Sequence, residues 1–190
     1  MKKSTLLVLC VPFLFTSCWD WGRKPVENYG KKVWGYKPVF STDTSLLRVQ
    51  SESPRAIKNP GKIYVKGDLI FQNDIGYGIH IIDNSVPAQA HSIGFVRVWG
   101  CSEISVKGNY LYTNSYDALV VADVTNWQQV REVKRVPNAF RQGVQGGLYT
   151  MVFIPLPEHK VYYDCVKLYN PGKIQTGWER DSISNYCFSN

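Results

Sequence analysis

The sequence predicts an all-β protein: antiparallel four-stranded, blade-like repeats of about 40 residues in a partial β-propeller-like array. Three observations carry that expectation. A small residue, an aliphatic run and an aspartate are written twice, as GIHIID at 78–83 and ALVVAD at 118–123. The neighbourhoods align too, IYVKGDLIFQNDIGYGIHIID at 63–83 with ISVKGNYLYTNSYDALVVAD at 104–123. The offset is 41 residues through Asn73 and 40 after a one-residue deletion in the following turn. Finally, turn formers separate the short apolar runs at regular spacing, as an all-β array requires.

Each element has a local reason. Residues 33–60 form a lead-in, with a strand at 33–40 and a helical or extended piece at 44–50, punctuated by Pro54 and Pro60. In the repeats at 61–100 and 101–140, KIYVK and EISVK alternate in period two and make first strands. KGD and KGN are tight turns, where glycine tolerates positive φ. LIFQN and YLYTN make second strands. IHIID and LVVAD make third strands, apolar enough to be covered on both faces. NSVPAQ and TNWQQV turn the chain into outer fourth strands, HSIGFVRVW and VREVKRV. One such sheet cannot bury its apolar face alone, so the phrase recurs. A partial third unit and closing segment occupy 141–190, with strands expected in GLYTMVFIPLP and HKVYYDCVKLY and a polar stretch at 170–190.

The N-terminus is an export signal. Lys2 and Lys3 precede an apolar run from Leu6 to Phe15, too short for a transmembrane helix, and LFTSC follows. This resembles the lipobox of bacterial lipoproteins, with Phe15 where Leu, Ile or Val is more usual. The resemblance implies cleavage after residue 17 and acylation of Cys18. Two or three acyl chains hold a protein stably on a membrane. Residues 1–17 are then a signal peptide, 18–32 a tether and 33–190 the β-repeat domain.

The full chain carries +7; losing Lys2 and Lys3 leaves 20 basic against 15 acidic residues. The basic residues are scattered rather than gathered in a stripe, so a nucleic-acid partner is not expected. Of five cysteines, Cys10 lies in the signal and Cys18 is the lipid site. An oxidising envelope permits one disulfide among Cys101, Cys165 and Cys187. Three pairings are open; Cys165 with Cys187, closest in the chain and flanking a polar turn region, is the expected one.

NPGKIYVKGDLIFQNDIGYGIHIIDNSVP and ISVKGNYLYTNSYDALVVADVTN, with TGWE at 176–179, resemble the LVIVD-repeat lipoproteins of Bacteroidetes-type bacteria. The resemblance spans about residues 33–180. It implies a β-propeller-like fold and an envelope address, and no reaction, substrate or catalytic residue. Ala122 departs from it, standing where a larger aliphatic residue is common.

Chemistry-bearing patterns are sparse. Asp83 and Asp123 recur at one phase and are expected to bond turn amides rather than calcium, as no DxDxDG loop is present. His80, His91 and His159 lack partners at ligand spacing, and no CxxC occurs, so no metal and no cofactor are expected. His80 sits in an apolar strand and reads as a core or interface histidine. GxSxG, SxxK, GxGxxG and P-loop patterns are absent, and no catalytic residue is assigned. Aromatics are the better hint, because tryptophan and tyrosine suit glycan or protein contact. Trp127, in a turn answering to Val86 or Pro87, is the expected exposed partner-contact aromatic.

The expectation is an exported lipoprotein, anchored to the outer membrane on its periplasmic or surface face, and a non-enzymatic binding or scaffold module for a protein or glycan partner. The alternative is an envelope hydrolase acting on polysaccharide or peptidoglycan with residues gathered from several turns. Two and a half blades leave open sheet edges, which predicts either a covered edge or self-association.

Overall fold

The structure, a computed structural model, describes residues 31–140, 154–168, 170 and 172–189. It is all-β with predominantly antiparallel sheets and no closed barrel. The described strands are β1 (Val33–Ser41), β2 (Gln50–Glu52), β3 (Pro60–Lys66), β4 (Leu69–Asp74), β5 (Gly78–Asp83), β6 (His91–Arg97), β7 (Ile104–Lys107), β8 (Tyr110–Ser115), β9 (Ala118–Asp123), β10 (Arg131–Val136), β11 (Tyr162–Tyr163), β12 (Ile174–Ile183) and β13 (Cys187–Phe188). Short 3-10 turns lie at Thr44–Leu47, Pro87–Gln89 and Trp127–Gln129.

The first repeat is the sheet β2-β6-β5-β4-β3 and the second is β10-β9-β8-β7. The copies match to the register. Ile81 pairs with Gly94 and Ile82 with Ser92; Val121 pairs with Lys134 and Ala122 with Glu132. A bulge therefore falls at the same place in both outer strands, on Ile93 and on Val133. The turn glycines match as well: Gly67 has φ +55 and Gly108 φ +57, left-handed values that a side chain adopts only under strain. Asp83 accepts the Ser85 amide at 2.8 Å, and Asp123 accepts the Thr125 amide at 2.9 Å. These bonds hold both carboxyls below the usual carboxylate range: the Ser85 amide leads for Asp83, the Thr125 side chain for Asp123.

Period-two alternation gives each sheet two faces. In the first repeat Phe71, Ile79, Ile81 and Val96 lie on the front, while Ile63, Val65, Ile70, His80 and Ile82 lie on the back. In the second repeat the back carries Ile104, Val106, Leu111, Val120 and Ala122. One core holds the front of the first repeat and the back of the second. The sheets thus stack front to back, and β3 runs beside β7. Lys62 pairs with Glu103, and the Lys66 ammonium donates to the Gly108 carbonyl, across that seam.

The lead-in does two jobs that its local sequence does not announce. β2 joins the β6 edge of the first repeat, pairing Ser51 with Val96. β1 leaves the repeats altogether and pairs with β12, from Val33 opposite Ile183 to Ser41 opposite Ile174. With β11 and β13 they form a third sheet, ordered β12-β1-β11-β13. This differs from the partial third unit expected at 147–169. Ile154–Pro157 is irregular, only Tyr162–Tyr163 of the second expected strand is extended, and residues 147–153 lie outside the described set. The longest strand of the sheet, β12, falls in the stretch read as polar and closing. Its sequence IQTGWERDSI alternates weakly, and its partner lies at the other end of the chain.

Candidate functional site

Two places gather charged side chains with defined geometry. The first is inside the first repeat. Asp74 ends β4 and is wholly buried. Its Oδ1 accepts the Asn59 amide at 2.7 Å, and both oxygens lie 3.3 Å from the Lys58 amide. His80 Nε2 stands 3.3 Å from Oδ2. The strap from β2 to β3 is therefore pinned onto the back face by a carboxylate. Arg55 of the strap lays its guanidinium 4.7 Å from the Phe95 ring centroid, and the His80 ring is 4.8 Å from the same ring. A buried carboxylate satisfied by strap amides fixes a chain crossing; it is closed to solvent and offers no surface to a substrate.

The second place is a cleft of 470 Å³ between the Thr44–Leu47 turn and the start of β10. Asp43 starts that turn by accepting the Ser45 amide at 2.9 Å. Ser51 ties the walls together: its hydroxyl donates to the Trp127 carbonyl and accepts the Val130 amide, each at 2.9 Å. Leu47, Val49 and Val130 supply apolar surface. Arg48, Arg131, Arg135 and one acidic residue, Glu132, complete the lining.

The β10 bulge explains how these charges sort. On a regular strand, residues three apart point to opposite faces. The extra residue at Val133 puts Glu132 and Arg135 on one face, and they form a bidentate pair with both contacts at 2.8 Å. Arg135 also donates to the Leu47 carbonyl at 2.7 Å, which fastens β10 to the lead-in. Arg48 and Arg131 are exposed and, among the described residues, make no side-chain hydrogen bond or ion pair. Each acts electrostatically on a carboxylate of a neighbouring turn, Arg48 on Asp43 and Arg131 on Asp123. Alternation sends the Arg131 side chain to the face of β10 opposite Glu132, so Arg48 and Arg131 border the cleft as exposed guanidiniums, a chemistry that suits a carboxylate or sulfate group.

The residues singled out from the sequence fall elsewhere. Cys18 lies outside the described residues. Cys165 and Cys187 are joined in a disulfide that holds β13 to the end of β11. Cys101 is a free, buried thiol, pushed up to about 12 by burial. Trp127, expected to be exposed, is half-buried and packs against the core between the repeats, its ring over Gly94. A neighbouring sheet covers it, and a turn position in one repeat does not reveal that. His91 and His159 are exposed, whereas His80 is wholly buried. Among the described residues no group of three or more His, Cys, Asp or Glu could hold a metal ion.

Arg48, Arg131 and Arg135 were not singled out from the sequence. Arginines in RVQ and REVKR look like scattered surface charge until β2 and β10 are brought together. In comparisons with known proteins, no family model, no curated protein and no solved structure matches this chain.

Proposed function

We propose that this protein is a non-enzymatic binding module, held at the cell envelope by a lipid on Cys18, that recognises a carboxylate-bearing partner through Arg48 and Arg131. The observation that carries the reading is the cleft itself: Arg48 and Arg131 line it together with Leu47, Val49 and Val130, on walls tied by Ser51. A guanidinium fork matches a carboxylate in two hydrogen bonds, and apolar walls lower the local dielectric around it. The one carboxylate of the cleft, Glu132, is held by Arg135, which suits a recognition surface better than acid–base chemistry. No helix among the described residues is long and apolar enough to cross a membrane.

The test is binding of the full chain to an acidic polysaccharide, polygalacturonate, against neutral dextran. The reading expects binding to the acidic polymer alone, weakened at least about tenfold by Arg48→Ala with Arg131→Ala, and weakened by salt. Equal binding to both polymers, or an unchanged affinity in the double variant, would refute it. Mass spectrometry of the envelope-purified N-terminus tests the anchor separately: an acylated Cys18 supports it, and an uncleaved or unmodified N-terminus refutes it.

A further inference from the structure

The two repeats leave equivalent residues in opposite environments. On the back of the second repeat, Val106 is 4% exposed and Leu111 and Ala122 are 0%. The residues that answer to them by repeat register are Val65, Ile70 and Ile82. Val65 is 58% exposed, its face-mate Ile63 is 61% exposed, and Ile70 and Ile82 are only half-buried. Ile57 continues the pattern at 45%, where its counterpart Val98 is 1% exposed. The strap pinned by Asp74 covers His80 and Phe95 and leaves this lower half of the face open.

We propose that the back face of the first repeat docks the front face of the second repeat in another copy of this chain, repeating between molecules the stacking found within one. The chain itself shows what covers this pattern: the front face of a repeat. A second copy has one to offer. Tyr110 and Val136, on the front of the second repeat, are 44% and 37% exposed, and Tyr112, Leu119 and Val121 beside them are half-buried.

Charge and size agree with that occupant. Within the chain, Lys62 of the first repeat pairs with Glu103 of the second. By register these two positions answer to each other, so Glu103 of one copy would face Lys62 of the next, again opposite charges. Lys66 donates to the Gly108 carbonyl, and its counterpart Lys107 would reach the Gly67 carbonyl. Trp127 packs over Gly94 inside the chain. Their counterparts are Pro87 and Lys134, so a small ring would meet a long side chain where a large ring meets none. Opposite faces are used, so the contact is heterologous and runs head to tail, closing a ring or extending a stack. This is face stacking rather than edge pairing, and it depends on neither the cleft nor the lipid.

The experiment is sedimentation of the full chain in density-matched detergent, with Val65→Lys on one face and Tyr110→Lys on the other. Both positions are exposed, so each variant should keep the native circular dichroism spectrum. The expected result is self-association of the unaltered chain and at least about a tenfold weakening in each variant. A mixture of the two variants should regain a two-chain species and stop there, because each retains one intact face. A native but monomeric unaltered chain, variants that assemble unchanged, or a mixture that stays monomeric would each overturn the proposal. Ile63→Lys with Val136→Lys provides a second pair if either variant fails to fold.

Discussion

A Cβ built on Gly94 would stand 2.7 Å from Cε3 and Cζ3 of Trp127. Gly94 belongs to the fourth strand of the first repeat, and Trp127 opens the turn before the fourth strand of the second. The indole fills the place a side chain would take, and this contact registers one sheet on the other. The Trp127 carbonyl, fixed by Ser51, holds the turn in place.

Gly94→Ala forces the ring to move and is expected to cost about 1–3 kcal/mol by overpacking. Trp127→Leu in the same chain should recover part of that loss, giving a clear coupling in a double-mutant cycle measured by urea unfolding. Strict additivity would mean that the two residues do not touch.

Asp74→Ala leaves the Lys58 and Asn59 amides without their acceptor and exposes the strap crossing. The expected loss is about 2 kcal/mol. Hydrogen exchange localises it: residues 55–60 should lose protection first. Asp74→Asn, which keeps an acceptor, should lose less. Uniform protection in Asp74→Ala would contradict the pinning role.

Acid should destabilise the turns. The Asp83 and Asp123 carboxyls lie below the ordinary value of 3.8 in the folded chain. A depressed folded pKa contributes stability in full above the unfolded value, and the contribution fades as pH falls through the folded value. Melting temperature should therefore drop below pH about 4, with Asp43 and Asp181 shifted the same way and adding to the effect. Asp83→Asn with Asp123→Asn keeps the turn acceptors, so it should flatten that limb measurably.

The cysteines separate by chemistry. Native alkylation at pH 8 should leave Cys101 unmodified, because its thiol is buried and raised to about 12. Cys165 and Cys187 should react only after reduction. The bridge closes a separation of 22 residues, and on a chain-entropy basis opening it costs about 3 kcal/mol. Rapid alkylation of Cys101 without denaturant would contradict its placement.

The repeats were legible because their signals are local. Alternation marks the strands, Gly67 and Gly108 mark the turns, and Asp83 and Asp123 mark the strand ends. The third sheet was not legible in the same way. Pairing of Val33 with Ile183 depends on which distant strands meet, and neither segment carries a pattern naming its partner. Trp127 fell between these cases. Its turn was read correctly and its burial was not, although Gly94 standing where the other copy has Lys134 was a visible sign of a large neighbour. The cleft was hidden for the third reason, a bulge: without it, Glu132 and Arg135 belong to opposite faces.

The front of the first repeat stacks against the back of the second, and the Gly94–Trp127 contact reports on that stacking most directly. In a proton NMR spectrum of the full chain, a Gly94 Hα should give strong cross-relaxation to the Trp127 ring protons and be shifted upfield by the ring current. Absence of that cross-relaxation, with both Gly94 Hα protons at ordinary chemical shifts, would contradict the stacked arrangement.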